Sequence, residues 1–170
     1  MAKELYLLRH AKSDWSLPCS DYDRPLNTRG KRQSLLIGQW MQDRQIIPQC
    51  IISSPAARAR ETTLSICEMI HFNVIDVYWE ENLYHANHHV MLAESKTFLS
   101  RYDKVLLVAH NPGMDDFLEF LCPEEELAYT AEGKLMTTAS LACIRLHDDT
   151  GNIQLHSGQL QTLIRPGELE

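Results

Sequence analysis

The stretch that decides the fold is VLLVAHNPG, residues 105–113. Its first five residues form an unbroken apolar run, which is typical of a strand buried on both faces of a parallel sheet. His110 and Asn111 follow this run directly, and Pro112 then favours the start of a helix. We therefore expect a central strand that ends in polar side chains just before a helix.

Hydrophobic patterning on either side of this stretch predicts alternating strands and helices. We expect an α/β fold, a three-layer α/β/α sandwich with a mostly parallel central sheet, whose last two strands form an antiparallel edge. Ser54 is expected to cap the second helix, with Pro55 as its first residue. The other predicted strands are 5–8, 50–52, 74–79, 140–146 and 153–159, with a turn at 149–152. The predicted helices are 29–44, 54–71, 88–101 and the amphipathic segment that ends near 121.

Length and charge exclude several classes of protein. A chain of 170 residues can bury a core without disulfides or a structural metal, so we expect a single domain over residues 1–170. The net charge of −7 argues against a nucleic-acid-binding protein. Residues 1–60 nevertheless carry ten Lys and Arg against five Asp and Glu, whereas residues 61–170 carry six against 18. The excess of basic over acidic residues in 1–60 raises the question of which anion the arginines of this part bind.

The cysteine pattern and the apolar runs indicate in which cellular compartment the protein is expected. Five cysteines without a CxxC motif disfavour a disulfide framework or a zinc cluster. No run approaches the roughly 18 apolar residues of a membrane span, and the first residues lack the apolar region of a signal peptide. We therefore expect a cytoplasmic protein that contacts no membrane and uses no metal or other cofactor.

Polar and basic residues follow three of the predicted strands. Arg9 and His10 end the first strand, Arg58 lies early in the helix after the second, and His110 ends the fourth. Ligands of open α/β sheets bind outside the carboxyl ends of the strands, where helix N-termini also favour anions. A neutral imidazole can attack phosphorus, and arginine forks match phosphoryl oxygens. The pattern therefore favours phosphoryl transfer through a covalent phosphohistidine.

Four motifs in a fixed order support this interpretation. The motifs are LLRHAKS at 7–13, RPLNTRG at 24–30, SSPAARARET at 53–62 and VAHNPG at 108–113. In these motifs the chain resembles the histidine phosphatase superfamily, whose fold is phosphoglycerate mutase-like, and within it the short SixA-type phosphohistidine phosphatases.

The resemblance implies a role for each matching residue. His10 would be the phosphorylated nucleophile, Arg9 and Arg58 would bind the phosphoryl oxygens, and His110 would contact the same group. Three further basic residues are expected to line the rim, where they either fix the loop after His10 or bind substrate: Lys12, Arg24 and Arg29.

The proton donor stays open between several residues. His85 stands where larger relatives have a glutamate, and Glu80, Glu81 or the loop carboxylate Asp21 could also reach the site. Without a strong acid the leaving group must be good, and the imidazole of phosphohistidine can leave neutral once its other nitrogen is protonated. This favours a phosphohistidine protein as the substrate.

Two alternative functions remain. One is a small-molecule phosphomonoesterase of the same fold that uses Glu80 or Glu81 as its acid. The other is a non-catalytic module that binds phosphorylated groups, although a binder has no need of the nucleophile. In each case the expected partner is a phosphoprotein or a small phosphorylated molecule.

Overall fold

A mixed β-sheet forms the centre of the part of the chain that the computed structural model describes, residues 2–147 and 152–170. Its six strands are β1 Glu4–Arg9, β2 Cys50–Ser53, β3 Tyr78–Trp79, β4 Lys104–Ala109, β5 Leu141–Leu146 and β6 Gly158–Ile164. Their order across the sheet is β3-β2-β4-β1-β5-β6. The α-helices are α1 Thr28–Asp43, α2 Ala57–Ile70, α3 His88–Leu99 and α4 Gly113–Leu121.

Strand β4 lies in the middle of the sheet, parallel to β1 on one side and to β2 on the other. Its residue Val105 pairs with Leu5 of β1 and with Cys50 of β2. Strand β5 is antiparallel to β1, and β6 is antiparallel to β5. The predicted central strand and antiparallel edge are both confirmed.

Helices cover both faces of the sheet, because successive strand residues point to opposite faces. Leu5 and Leu7 pack with residues of α3 and α4, whereas Tyr6 and Leu8 pack with residues of α1 and α2. The three-layer α/β/α arrangement is therefore confirmed. Within the described residues, no helix has the length and apolar character that crossing a bilayer requires.

The prediction for the start of α2 is wrong. The helix begins at Ala57, and Ala56 occupies the N-cap position without a capping side chain. The hydroxyl of Ser54 accepts a hydrogen bond of 3.3 Å from the amide of Ala56 and lies 2.8 Å from Nε2 of His110. The side chain that the local sequence assigns to the cap therefore lies against His110, three residues before the helix begins.

Two predicted strands also differ from the structure. The side chain of Asn73 accepts a hydrogen bond from the amide of Ile75, which turns 74–76 into a 3₁₀ helix and leaves only β3 to pair with the sheet. The last strand starts at Gly158 rather than at residue 153, because the antiparallel register places Gly158 opposite Leu146. Most of the predicted turn at 149–152 lies outside the described residues.

The close contact of α1 with the loop after His10 depends on a glycine. A Cβ atom on Gly30 would lie 2.1 Å from the carbonyl oxygen of Lys12. The same carbonyl accepts a hydrogen bond of 3.0 Å from the amide of Asn27. The loop and the start of the helix are therefore packed backbone against backbone.

We predict that Gly30→Ala lowers the free energy of unfolding by about 1–3 kcal/mol, since the backbone of the loop must move to admit the methyl group. Chemical denaturation measures the change. Gly167→Ala is the matched control, because a Cβ there meets no atom within 4 Å. Equal stability of the two variants would show that the loop and the helix are not tightly packed.

Candidate active site

His10 follows β1 directly, and only 8% of it is exposed. Its Nδ1–H donates a hydrogen bond of 2.7 Å to the carbonyl oxygen of Ala11. A carbonyl oxygen only accepts, so the proton of the ring lies on Nδ1 and the lone pair on Nε2. Burial, foremost, and the charges of Arg58 and Arg9 lower the pKa of His10 to about 3, although the bond to Ala11 opposes the shift. Near neutral pH His10 is therefore an uncharged imidazole that can act as a nucleophile at Nε2.

A second buried histidine lies beside the first. The ring centroids of His110 and His10 are 5.1 Å apart. Nε2 of His110 shares a hydrogen bond of 2.8 Å with the hydroxyl of Ser54, which follows β2. Burial, foremost, with the nearby His10 and Arg58, lowers the pKa of His110 to about 3. Both histidines are thus neutral, and each comes from the carboxyl end of a different strand.

Two arginines point donors into the same region. Nη1 of Arg9 donates to the carbonyl oxygen of Met136 over 2.8 Å. Arg58 donates from Nη1 to the carbonyl oxygen of Asp21 over 2.6 Å, and from Nη2 to its carboxylate over 3.1 Å. Among the described residues, the buried Nε atoms of Arg9 and Arg58 have no hydrogen-bond partner. Since a guanidinium has five N–H donors, each arginine keeps donors for an oxyanion.

Asp21 holds Arg58 and Arg24 in place. Its carboxylate accepts a hydrogen bond of 2.5 Å from the hydroxyl of Tyr84 and lies 2.9 Å from Nη1 of Arg24. The bond from Tyr84, foremost, and the charges of Arg58 and Arg24 hold the pKa of Asp21 well below its usual range. Asp21 therefore reaches the site, as the sequence allowed, but near neutral pH it is ionised and has no proton to donate.

These side chains line one cavity of about 420 Å³. The lining contains most of the residues that the sequence predicts for the site. It also contains Ser13, Trp15 and Thr138. The complete lining is Arg9, His10, Lys12, Ser13, Trp15, Asp21, Arg24, Arg58, His85, His110, Asn111 and Thr138.

Arg24, which was predicted at the rim, and His85, a candidate proton donor, both line this cavity. Nε of Arg24 donates to the hydroxyl of Ser13 over 3.0 Å, and its guanidinium carbon lies 3.5 Å from the centroid of the Trp15 ring. His85 is mostly exposed, and its Nε2 lies 3.8 Å from the carboxylate of Asp21. Arg24 is therefore fixed by its neighbours, whereas His85 lies at the solvent side.

Three other residues that the sequence predicts for the site do not line the His10 cavity. Arg29 lines a neighbouring cavity and lies 3.9 Å from the carboxylate of Glu170. Glu80 and Glu81 are not among the described residues that line the His10 cavity. The carboxylate of Glu81 instead accepts hydrogen bonds of 3.0 and 3.2 Å from the hydroxyl of Tyr22.

Sequence reasoning missed two residues that organise the site. The hydroxyl oxygen of Thr62 accepts a bond of 3.0 Å from the amide of Ala11 and donates one of 2.7 Å to the carbonyl of Arg58. Its position four residues after Arg58, on the same helix face, is a signal that could have found it. Tyr84 carried no such signal, because its bond to Asp21 spans 63 residues. Within the described residues, no group of three or more His, Cys, Asp and Glu side chains could hold a metal ion.

Several known proteins are similar to this chain in sequence or in fold. The model of the histidine phosphatase superfamily (branch 1) matches residues 5–89. The crystal structure of a candidate phosphohistidine phosphatase SixA from Agrobacterium tumefaciens is similar with a TM-score of 0.82 and 30% identity, over 98% of this chain and 99% of that one.

Two further proteins extend the comparison. The protein histidine phosphatase SixA in complex with tungstate has a similar fold, with a TM-score of 0.82 and 22% identity over 98% of this chain and 99% of that one. An uncharacterised chloroplast protein of Arabidopsis thaliana is 28% identical over 130 residues, which are 71% of this chain and 60% of that protein. The chain thus spans less than two thirds of the length of this curated relative.

We predict that the Cε1 proton resonances of His10 and His110 stay constant between about pH 5 and 8, where a histidine of ordinary pKa titrates. Both rings have a pKa of about 3 in the folded protein. The unfolded chain binds these protons at higher pH, so the folded state loses stability as the pH falls from about 6.5 towards 3. NMR titration, with His10→Gln to assign the resonance, makes the measurement. A midpoint near neutral pH for either ring would contradict the buried, uncharged site.

Proposed function

The chain belongs to the histidine phosphatase superfamily, and we propose that it is a phosphohistidine phosphatase that acts through a covalent phosphohistidine on His10. The observation that carries the proposal is the uncharged His10, whose proton is fixed on Nδ1 by Ala11. Its nucleophilic Nε2 shares a cavity with the guanidinium groups of Arg9 and Arg58.

In the first step Nε2 of His10 attacks the phosphorus atom of the substrate. The bond between phosphorus and the substrate imidazole breaks, and its electron pair returns to that imidazole, which leaves neutral because its other nitrogen carries a proton. His10 becomes a phosphorylated imidazolium whose Nδ1–H still donates to the carbonyl of Ala11. Arg9 and Arg58 stabilise the charge on the phosphoryl oxygens during the transfer.

In the second step a water molecule attacks the phosphorus atom of phospho-His10. The electron pair of the P–N bond returns to Nε2, and the product leaves as dihydrogen phosphate, which keeps both hydrogens of the water. His10 is again neutral, as its low pKa in the buried site requires. No separate base or acid has to change its protonation state in this scheme.

The placement of the carboxylates supports phosphohistidine rather than an alkyl phosphate as the substrate. Asp21 is held ionised by Tyr84, Arg58 and Arg24 and cannot protonate a leaving group. Glu81 is bound by Tyr22 outside the cavity. An alkoxide leaving group must be protonated by an acid of the enzyme. The imidazole of phosphohistidine already carries a proton on its other nitrogen and leaves neutral without a further one.

We predict that His10→Ala lowers the rate of phosphate release from a phosphohistidine peptide by at least about 10³-fold, since a covalent route loses its nucleophile. His89→Ala, at an exposed histidine outside the cavity, is the matched control and keeps the wild-type rate. Rapid acid-free quenching with labelled phosphodonor, followed by peptide mapping, locates the trapped phosphate on His10. Label on a serine or a cysteine would overturn the scheme.

We also predict that Glu80→Gln and Glu81→Gln change phosphohistidine hydrolysis by less than about twofold, because neither carboxylate lines the cavity that holds the reacting groups. Rates on a phosphohistidine peptide and on a sugar phosphate are measured side by side. A preference for the sugar phosphate that either substitution abolishes would instead establish a small-molecule phosphomonoesterase.

A further inference from the structure

A second cavity of about 490 Å³ adjoins the cavity that contains His10. Lys12 and Thr138 line both cavities. The two therefore lie side by side, and a molecule that reaches His10 can extend past Lys12 into the second one. We call this second cavity the accessory cavity.

The lining of the accessory cavity is strongly basic. Among its described residues the one carboxylate is that of Glu168, which accepts a hydrogen bond of 3.2 Å from the amide of Arg165. Lys12 and Lys134 form no ion pair with any residue in the described part of the chain. The basic residues of the lining are Lys12, Arg29, Lys134 and Arg165.

Two of these cations come from the acidic part of the chain. Residues 61–170 carry only six Lys and Arg against 18 Asp and Glu, yet Lys134 and Arg165 both line this cavity. Arg165 is held in place, because Nε donates to the carbonyl of Leu135 over 3.0 Å and Nη2 donates to the carbonyl of Ala128. Positive charge is thus gathered beside the site although the net charge is −7, and Arg165 is fixed there.

We propose that the accessory cavity binds carboxylate side chains of the protein that carries the phosphohistidine, an inference that rests on the proposed function. Lys12, Arg29 and Lys134 are exposed, so they can reach a partner's surface. Their charges are spread over a cavity larger than a single phosphate needs, which suits several carboxylates along a chain segment. Complementary charge of this kind selects the partner and speeds its association.

The first test measures binding without catalysis. The full chain is titrated into a fluorescein-labelled peptide of alternating Glu and Gly, and into the same peptide with Gln in place of Glu. The Glu peptide binds more tightly, and Lys134→Glu weakens that binding by about five- to tenfold at low salt, where exposed charges are least screened. Lys96→Glu, at an exposed lysine of α3, is the matched control and leaves the affinity unchanged. Equal affinities for both peptides, or equal effects of both substitutions, overturn the proposal.

The second test measures turnover of phosphohistidine peptides with Glu or with Gln on either side. Lys134→Glu raises the KM for the Glu-flanked peptide by about fivefold, with kcat unchanged and the Gln-flanked peptide unaffected, because it replaces one exposed attraction by a repulsion. If the peptides are hydrolysed but the KM for the Glu-flanked peptide is not the lower one, the accessory cavity does not bind carboxylates of the substrate. The proposed function then stands without it.

Two other outcomes are equally decisive. If the Glu peptide of the first test binds as expected but no phosphohistidine peptide is hydrolysed, the proposed function fails while the acidic-peptide site remains. If Lys134→Glu raises the KM for a small sugar bisphosphate and leaves the Glu-flanked peptide unaffected, the accessory cavity binds a second phosphate group and the proposal is overturned.

Discussion

Arg9 pairs with Ala109 in the parallel register between β1 and β4, so the next residue of each strand leaves the sheet at the same edge. Those residues are His10 and His110, whose rings come within 5.1 Å of each other although a hundred positions separate them in sequence. The amide of His10 also donates a hydrogen bond of 3.1 Å to the carbonyl of Ala109. Every other feature of the site is arranged around this pair.

Burial and positive charge act on the two rings in the same direction. Both disfavour the imidazolium form, and the site therefore combines uncharged histidines with guanidinium groups that stay charged. Asp21 compensates part of the positive charge of Arg58 and Arg24 and orients both groups. In the proposed mechanism, a phosphoryl group that enters this cavity meets the guanidinium groups of Arg9 and Arg58 and a nucleophile that needs no deprotonation.

Two elements whose bounds were wrongly predicted have different causes, one distant in sequence and one local. Ser54 is a good N-cap in isolation, but in the folded chain its hydroxyl contacts His110, and α2 starts three residues later. The segment before Tyr78 has the apolar pattern of a strand, but Asn73 turns it away from the sheet. Apolar patterning describes what a segment can form. A contact distant in sequence decides the outcome at Ser54, whereas a local side-chain cap decides it at Asn73.

The sequence by itself determined the strands and helices with long apolar runs, the central position of β4 and the meeting of Arg9, His10, Arg58 and His110 at one sheet edge. Parallel strands share their carboxyl edge, so a residue at a strand end can be placed without knowing the loops. Only the tertiary structure decided the roles of Asp21, Tyr84 and Thr62, the exclusion of Glu81 from the cavity and the gathering of Lys134 and Arg165 beside Lys12. These positions depend on loop conformations and on contacts between distant segments, which no local pattern of residues specifies.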